Sequence, residues 1–166
     1  MEQRVIFTIG HSKHPIETFL SLLEMHRIKI LYDVRSLPYS RFSQYNRESL
    51  ERALQNRQIR YIFDGTRLGG RISDPDCYLS RSIPNRKINI AELVHYAKLI
   101  QQDWFNKGIE SLKESSADER TAILCSEEDP ARCHRNLLVG RRLMEIGFQI
   151  CHIRGDGRLE EAKFAE

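Results

Sequence analysis

The chain has 166 residues, 40% hydrophobic and 30% charged, with 26 Lys and Arg against 23 Asp and Glu. That length is one ordinary domain with room for a substantial core, and the apolar fraction is too high for intrinsic disorder. No run approaches the roughly 18 apolar residues of a membrane span. Met1-Glu2 leads straight into a strand-like run, with no basic-then-apolar signal peptide. Cys77, Cys125, Cys133 and Cys151 are too few for a disulfide scaffold, so free thiols in a reducing, cytoplasmic setting are expected.

In chain order, Val5–Ile9 reads as a strand, and Ile16, Phe19, Leu20 and Leu23 recur at helical spacing after Pro15. Ile28–Val34 is a second strand. Asn46 stands as the N-cap of a helix with Leu50 and Leu54 on one face, and Ile59–Phe63 is a third strand. Residues 64–87, rich in Gly, Pro and Ser, form a long connection of the kind used as a lid or mobile loop. Leu93, Ala97, Ile100 and Trp104 mark one long amphipathic helix, and Thr121–Cys125 a fourth strand. Asp129-Pro130 opens a helix that runs to Gly147, Phe148–Ile153 is a fifth strand, and residues 155–166 read as a polar tail.

Short apolar strands alternating with helices predict a single α/β domain over residues 1–154. Its mostly parallel sheet of about five strands is covered by helices in a Rossmann-like layered arrangement. Ligands of such sheets bind at the carboxyl ends of the strands. Four segments should meet there: Gly10-His11-Ser12, Asp33-Val34-Arg35-Ser36, Leu68-Gly69-Gly70-Arg71, and Cys125-Ser126-Glu127 leading into Cys133-His134-Arg135. Polar loops are common, but four of them rich in His, Asp, Arg, Cys and Glu point to a site.

These same segments, with Ile9 before the first and Leu124 before the last, resemble the domain of unknown function 488 family. The match spans nearly the whole chain in order. The family's usual Cys-Ala-Glu is Cys125-Ser126-Glu127 here, a small-for-small change. The resemblance implies a compact α/β domain of bacterial or archaeal type and carries over no activity, so the chemistry has to come from the residues.

The net charge of +3 is divided unevenly, +6 over residues 1–88 and −3 over residues 89–166, and Arg outnumbers Lys by 19 to 7. Arg suits planar recognition of phosphate, so an anionic partner is expected, although scattered surface Arg explains part of such an excess. An acid–base reading takes Asp33 and Glu127 as the proton-transfer pair, assisted by His11 and His134. Arg35 and Arg135 would clamp the anion, with Ser12, Gly69 and Gly70 beside it. The substrate would be a phosphate-bearing small molecule, a nucleotide or a nucleic-acid end. The competing explanation is an internal salt-bridge network.

Three other readings compete. Cys125 is a candidate nucleophile near Arg132, His134 and Arg135. Six residues separate it from Arg132 where cysteine phosphatases have five, and Glu127, Glu128 and Asp129 would repel a phosphate. A buried strand-end thiol is the bland alternative. Cys125, Cys133, His134, Cys151 and His152 offer soft ligands, but their spacings match no usual zinc pattern, so no metal and no cofactor are expected. Finally, eight Arg lie between residues 35 and 71, interleaved with Tyr39, Phe42, Tyr45, Tyr61 and Phe63. Arg41, Phe42 and Tyr45 would there serve a non-catalytic nucleic-acid-binding module. Gly69-Gly70 lacks the context of a P-loop or a dinucleotide fingerprint.

Overall fold

Strands covered on both faces read as near-continuous apolar runs, and the sheet is built from five of them in parallel. They are β1 (Val5–Gly10), β2 (Ile30–Asp33), β3 (Arg60–Phe63), β4 (Thr121–Cys125) and β5 (Gln149–Ile153). The computed structural model describes residues 2–85 and 90–164. The sheet order is β3-β2-β4-β1-β5-β6, in which β6 (Leu159–Glu161) pairs antiparallel with β5. The mostly parallel α/β architecture expected from the sequence is the one observed.

Successive side chains leave a strand on opposite faces, so each strand feeds two cores. Phe7, Ile9, Leu31, Ala122 and Leu124 pack on α1 (Ile16–Met25) and α2 (Arg47–Gln55) through Phe19, Leu20, Leu23, Leu50 and Leu54. Ile6, Tyr32, Ile123 and Ile150 face the other layer. That layer contains α3 (Gly65–Leu68), α4 (Tyr96–Leu99), α5 (Asp103–Ser115) and α6 (Arg141–Glu145).

The crossovers from β1 to β2 to β3 use the first face, and the segments entering and leaving β4 use the second. Because β4 lies between β1 and β2, the chain leaves neighbouring strand ends toward opposite faces. That divergence opens a crevice at the carboxyl edge, the topological switch point of a doubly wound sheet.

Three local expectations need correction. The single helix over Leu93–Trp104 is broken into a 3-10 turn (Ile90–Leu93), α4 and α5. Leu79 N donates to Leu93 O and His95 N to Cys77 O, so pairing with residues 77–79 pulls the chain out of helical geometry. The helix from Asp129 is also divided. Asp129 caps only a 3-10 turn (Pro130–Arg132), Cys133 is extended, and a π-helix (Arg135–Gly140) precedes α6. The expected polar tail contains β6, whose pairing continues with Ala162 N donating to Ile150 O. The 64–87 connection holds α3 and a 3-10 turn (Pro75–Cys77), while its residues 86–87 lie outside the described residues. No helix among the described residues is long and apolar enough to cross a membrane.

Two buried histidines tie stability to pH. Burial lowers His11 to about 4, and burial followed by the charge of Arg135 lowers His152 to about 4, against an ordinary 6.5. The unfolded chain therefore takes up protons first as the pH falls, so stability is full above about 6.5 and is lost toward 4. The loss reaches up to about 3 kcal/mol for each histidine. Urea unfolding at about pH 7.5 and about pH 4.5 checks this, and the His11→Gln variant should flatten the dependence.

Candidate active site at the carboxyl edge of the sheet

The crevice is a cavity of about 610 Å³ walled by Arg35 and Ser36 after β2, Gly70 and Arg71 after α3, and residues following β4. Cys125, Glu127, Cys133 and His134 all line it. Its mouth carries the exposed Arg71 and Arg132, neither of which pairs with a carboxylate among the described residues, and the apolar Leu37 and Tyr39, 56% and 68% exposed.

Close backbone approach builds this edge. His11 N donates to Cys125 O (3.0 Å) and Ser12 N to Ser126 O (2.8 Å), extending the β1–β4 pairing past the strand ends. A Cβ on Gly10 would fall 1.7 Å from Glu127 O, so only glycine lets the loop cross there. Arg135 holds the loop from below. Its guanidinium is fully buried and donates to Thr8 Oγ1 (3.1 Å), Glu127 O and Glu128 O (3.0 Å). From the other side, Arg154 makes a two-pronged contact with the Glu128 carboxylate, which also accepts from Gly155 N. The Arg154 guanidinium draws the Glu128 carboxyl down to about 2 against the opposing effect of burial.

Inside the cavity, His134 is oriented by its surroundings. Its Nε2–H donates to Val34 O (2.9 Å), which leaves Nδ1 as the lone-pair nitrogen. Nδ1 faces Cys125 Sγ at 3.6 Å and Cys133 Sγ at 3.9 Å. A Cβ on Gly70 would lie 2.9 Å from the His134 ring, so this glycine makes room for the imidazole. Hydrogen bonding to Cys133 and burial push the Cys125 thiol well up. Burial opposes ionisation of Cys133 too, but hydrogen bonding with Cys125 and contact with His134, together with the charge of Arg135, outweigh it and hold Cys133 well down.

The residues expected at the site from sequence are distributed differently. Cys125, Glu127, His134, Arg35 and Gly70 line the cavity. Asp33 does not: it is fully buried, and its oxygens accept from Arg35 Nε (2.9 Å), Arg35 Nη2 (2.8 Å) and the Tyr61 hydroxyl. Arg35 in turn donates Nη1 to Tyr45 O (2.8 Å), so the pair forms a braced wall, the internal network weighed against catalysis. His11 stacks on Tyr45 with centroids 4.2 Å apart and donates Nδ1–H to Ser12 O, away from the cavity lining. Ser12 sits in the left-handed region at φ 47° and serves the loop through its backbone. A Cβ on Gly69 would lie 2.3 Å from Ser36 Oγ and from Gly65 O, which makes this glycine a packing position.

Arg135 is turned into the core rather than toward an anion in the cleft. In the Arg/aromatic stretch, Arg41 stacks on Phe42 at 5.0 Å, Arg47 lies over Phe63, and Arg57 and Arg67 pair with acidic residues. Tyr45 is fully buried and offers no face to a base. Cys133, weighed from sequence only as a soft ligand and given no role in the acid–base reading, also lines the cavity. Its spacing from Cys125 matches no standard pattern, and the adjacent Cys133-His134 is the signal that could have found it. Arg71, Arg132 and Tyr39 join the site because the connection after α3 and the turn before Cys133 fold over the same opening.

Two substitutions test this construction. Arg135→Met should destabilise the fold by about 3–5 kcal/mol in urea unfolding, since it leaves the Glu127 and Glu128 carbonyls without the donor that holds their loop. Gly70→Ala should keep the far-UV circular dichroism unchanged while displacing the imidazole, read as altered His134 ring resonances in a nitrogen-15 correlation spectrum.

No curated protein matches this chain, and no solved structure does. A family model, the domain of unknown function DUF488, matches residues 15–141. That span includes Asp33-Val34-Arg35, Gly69-Gly70, Cys125-Ser126-Glu127 and Cys133-His134-Arg135, and so every residue lining the cavity. The match covers well over half of the 166 residues, and the chain belongs to the DUF488 family.

Proposed function

We propose that the protein is an enzyme acting on a small phosphate-bearing molecule, a nucleotide above all, bound in the carboxyl-edge cleft. The observation that carries this reading is a cavity joining Cys125, Cys133, His134 and Glu127 to Arg71 and Arg132, which pair with no carboxylate among the described residues. Arg71 and Arg132 are the groups to hold a phosphate, since a guanidinium without a carboxylate partner keeps its donor fork free for one. Leu37 and Tyr39 on the rim suit the sugar or base, a tyrosine face being a stacking platform.

Acid–base work falls to Glu127 and His134 rather than to Asp33, whose oxygens are taken by Arg35 and Tyr61. His134 has the arrangement of a base in a nucleophile–base–orienter series, with Nε2 anchored on Val34 O and Nδ1 beside two thiols. This supports hydrolysis or group transfer at the bound phosphate compound. The alternative of a non-catalytic nucleic-acid module is weaker because Arg35, Arg47, Arg57 and Arg67 are engaged within the fold.

The test is thermal unfolding of wild type and of the Arg71→Ala/Arg132→Ala double variant with inorganic phosphate and with nucleoside mono-, di- and triphosphates. A compound at a hundredfold its Kd should stabilise the wild type by about 2.7 kcal/mol and leave the double variant unmoved. Turnover of that compound should fall about a hundredfold or more in Glu127→Gln and His134→Asn. If no phosphate compound stabilises the wild type, the reading is overturned. Stabilisation by oligonucleotides alone would support the binding module instead.

A further inference from the structure

Three donor atoms in the cleft surround a common point. Cys125 Sγ is 3.6 Å and Cys133 Sγ 3.9 Å from His134 Nδ1, and the three ligand atoms all lie within 4.8 Å of one another. A tetrahedral zinc with Zn–S of about 2.3 Å and Zn–N of about 2.0 Å holds nitrogen and sulfur about 3.5 Å apart, and two sulfurs about 3.8 Å apart. The side chains thus stand near ligand spacing with the backbone as it is.

The imidazole is also presented as a ligand. Metal-bound histidines characteristically donate their other ring N–H to a carbonyl or carboxylate, which fixes the tautomer. His134 does this through Nε2–H to Val34 O, so the lone pair of Nδ1 points at the two sulfurs. Gly70, packed against the ring, holds it there.

We propose that Cys125, Cys133 and His134 bind a zinc ion whose fourth coordination position opens into the cleft. Two thiolates and an imidazole are the donors a borderline-soft cation prefers. Among the described residues no fourth histidine, cysteine or carboxylate joins the cluster, and all three ligands line the cavity. Structural zinc sites use four protein ligands, whereas three plus a water is the pattern of a catalytic site. On loading, both thiols lose their protons to solvent, the two thiolates balance the dipositive ion, and a water completes the shell. Affinity therefore falls as the pH is lowered.

One consequence rests on the proposed function. With a phosphate compound in the cleft, the ion would polarise a phosphate oxygen or activate the bound water, His134 then serving as a ligand in place of its role as base and Glu127 remaining the neighbouring base. The metal site itself stands without that step.

The experiment is elemental analysis of untagged protein purified without chelators, followed by titration of the metal-stripped protein with cobalt(II) and displacement by zinc. Stoichiometric zinc and a thiolate-to-cobalt charge-transfer band, bleached by zinc, are expected. The band should be lost in Cys125→Ser and Cys133→Ser, weakened in His134→Gln and retained in Cys151→Ser, with circular dichroism confirming that each variant is folded. Absence of both zinc and the band in wild type overturns the site whether or not the variants fold. A band that survives both cysteine substitutions overturns the ligand assignment, and copper in place of zinc overturns the choice of ion. A cobalt band without nucleotide stabilisation sinks the proposed function alone, and the reverse result sinks the metal site alone.

Discussion

The Arg135 guanidinium is buried beneath the cleft, where it donates to Thr8 on β1 and to the carbonyls of Glu127 and Glu128 beyond β4. Burying a charge costs several kcal/mol, and among the described residues no carboxylate pairs with this one. Charge-assisted hydrogen bonds to three oxygens offset that cost and turn a mobile polar loop into a fixed wall. The same residue also supplies a permanent positive charge close to Cys125, Cys133 and His152, which favours thiolate and disfavours imidazolium. The shape and the electrostatics of the cleft therefore depend on one side chain that never reaches it.

The strand order makes this arrangement possible. β4 returns to the middle of the sheet, between β1 and β2, after the chain has already built one edge. Its carboxyl end therefore lies against two strand ends whose own continuations go to the other face. Glycines at the contacts let backbone and side chains approach more closely than a Cβ permits: Gly10 beneath Glu127 and Gly70 against His134. The π-helix that begins at Arg135 belongs to the same device. Its wider turn is uncommon and is found mostly at functional sites. Here it follows an extended Cys133, so Cys133, His134 and Arg135 are sent to different partners.

Asp33 and Arg35 have the residue types of an acid–base site and instead form its brace. Two charges, nearly without exposure, satisfy each other and lock Tyr45 and Tyr61 around them. The strand end of β2 is thereby rigid where Val34 O must hold His134. The groups of the opposite wall, Glu127 and His134 among them, line the cavity. Bracing residues and cavity-lining residues of similar types follow adjacent strands, and hydrogen-bond partners distinguish them where residue type does not.

Alternation of apolar strands and helices settled the α/β class, because burying two faces of a sheet requires that pattern whatever the strand order. It also placed Gly10-His11, Asp33-Arg35, Gly69-Gly70 and Cys125–Arg135 at one edge, since parallel strands share a direction. Local signals were weaker where backbone pairing at a distance overrode them, as between residues 77–79 and 93–95 and in the pairing of β6. Which side chains face the cleft was decided only by tertiary structure. The inward turn of Arg135, the closed pairing of Asp33 and the meeting of Cys133 with Cys125 at His134 depend on burial and on contacts between residues far apart in the chain. A spacing rule reads ligands carried on one local element, whereas the three donors of the proposed metal site come from a strand end, Cys125, and from Cys133 and His134 just ahead of a π-helix.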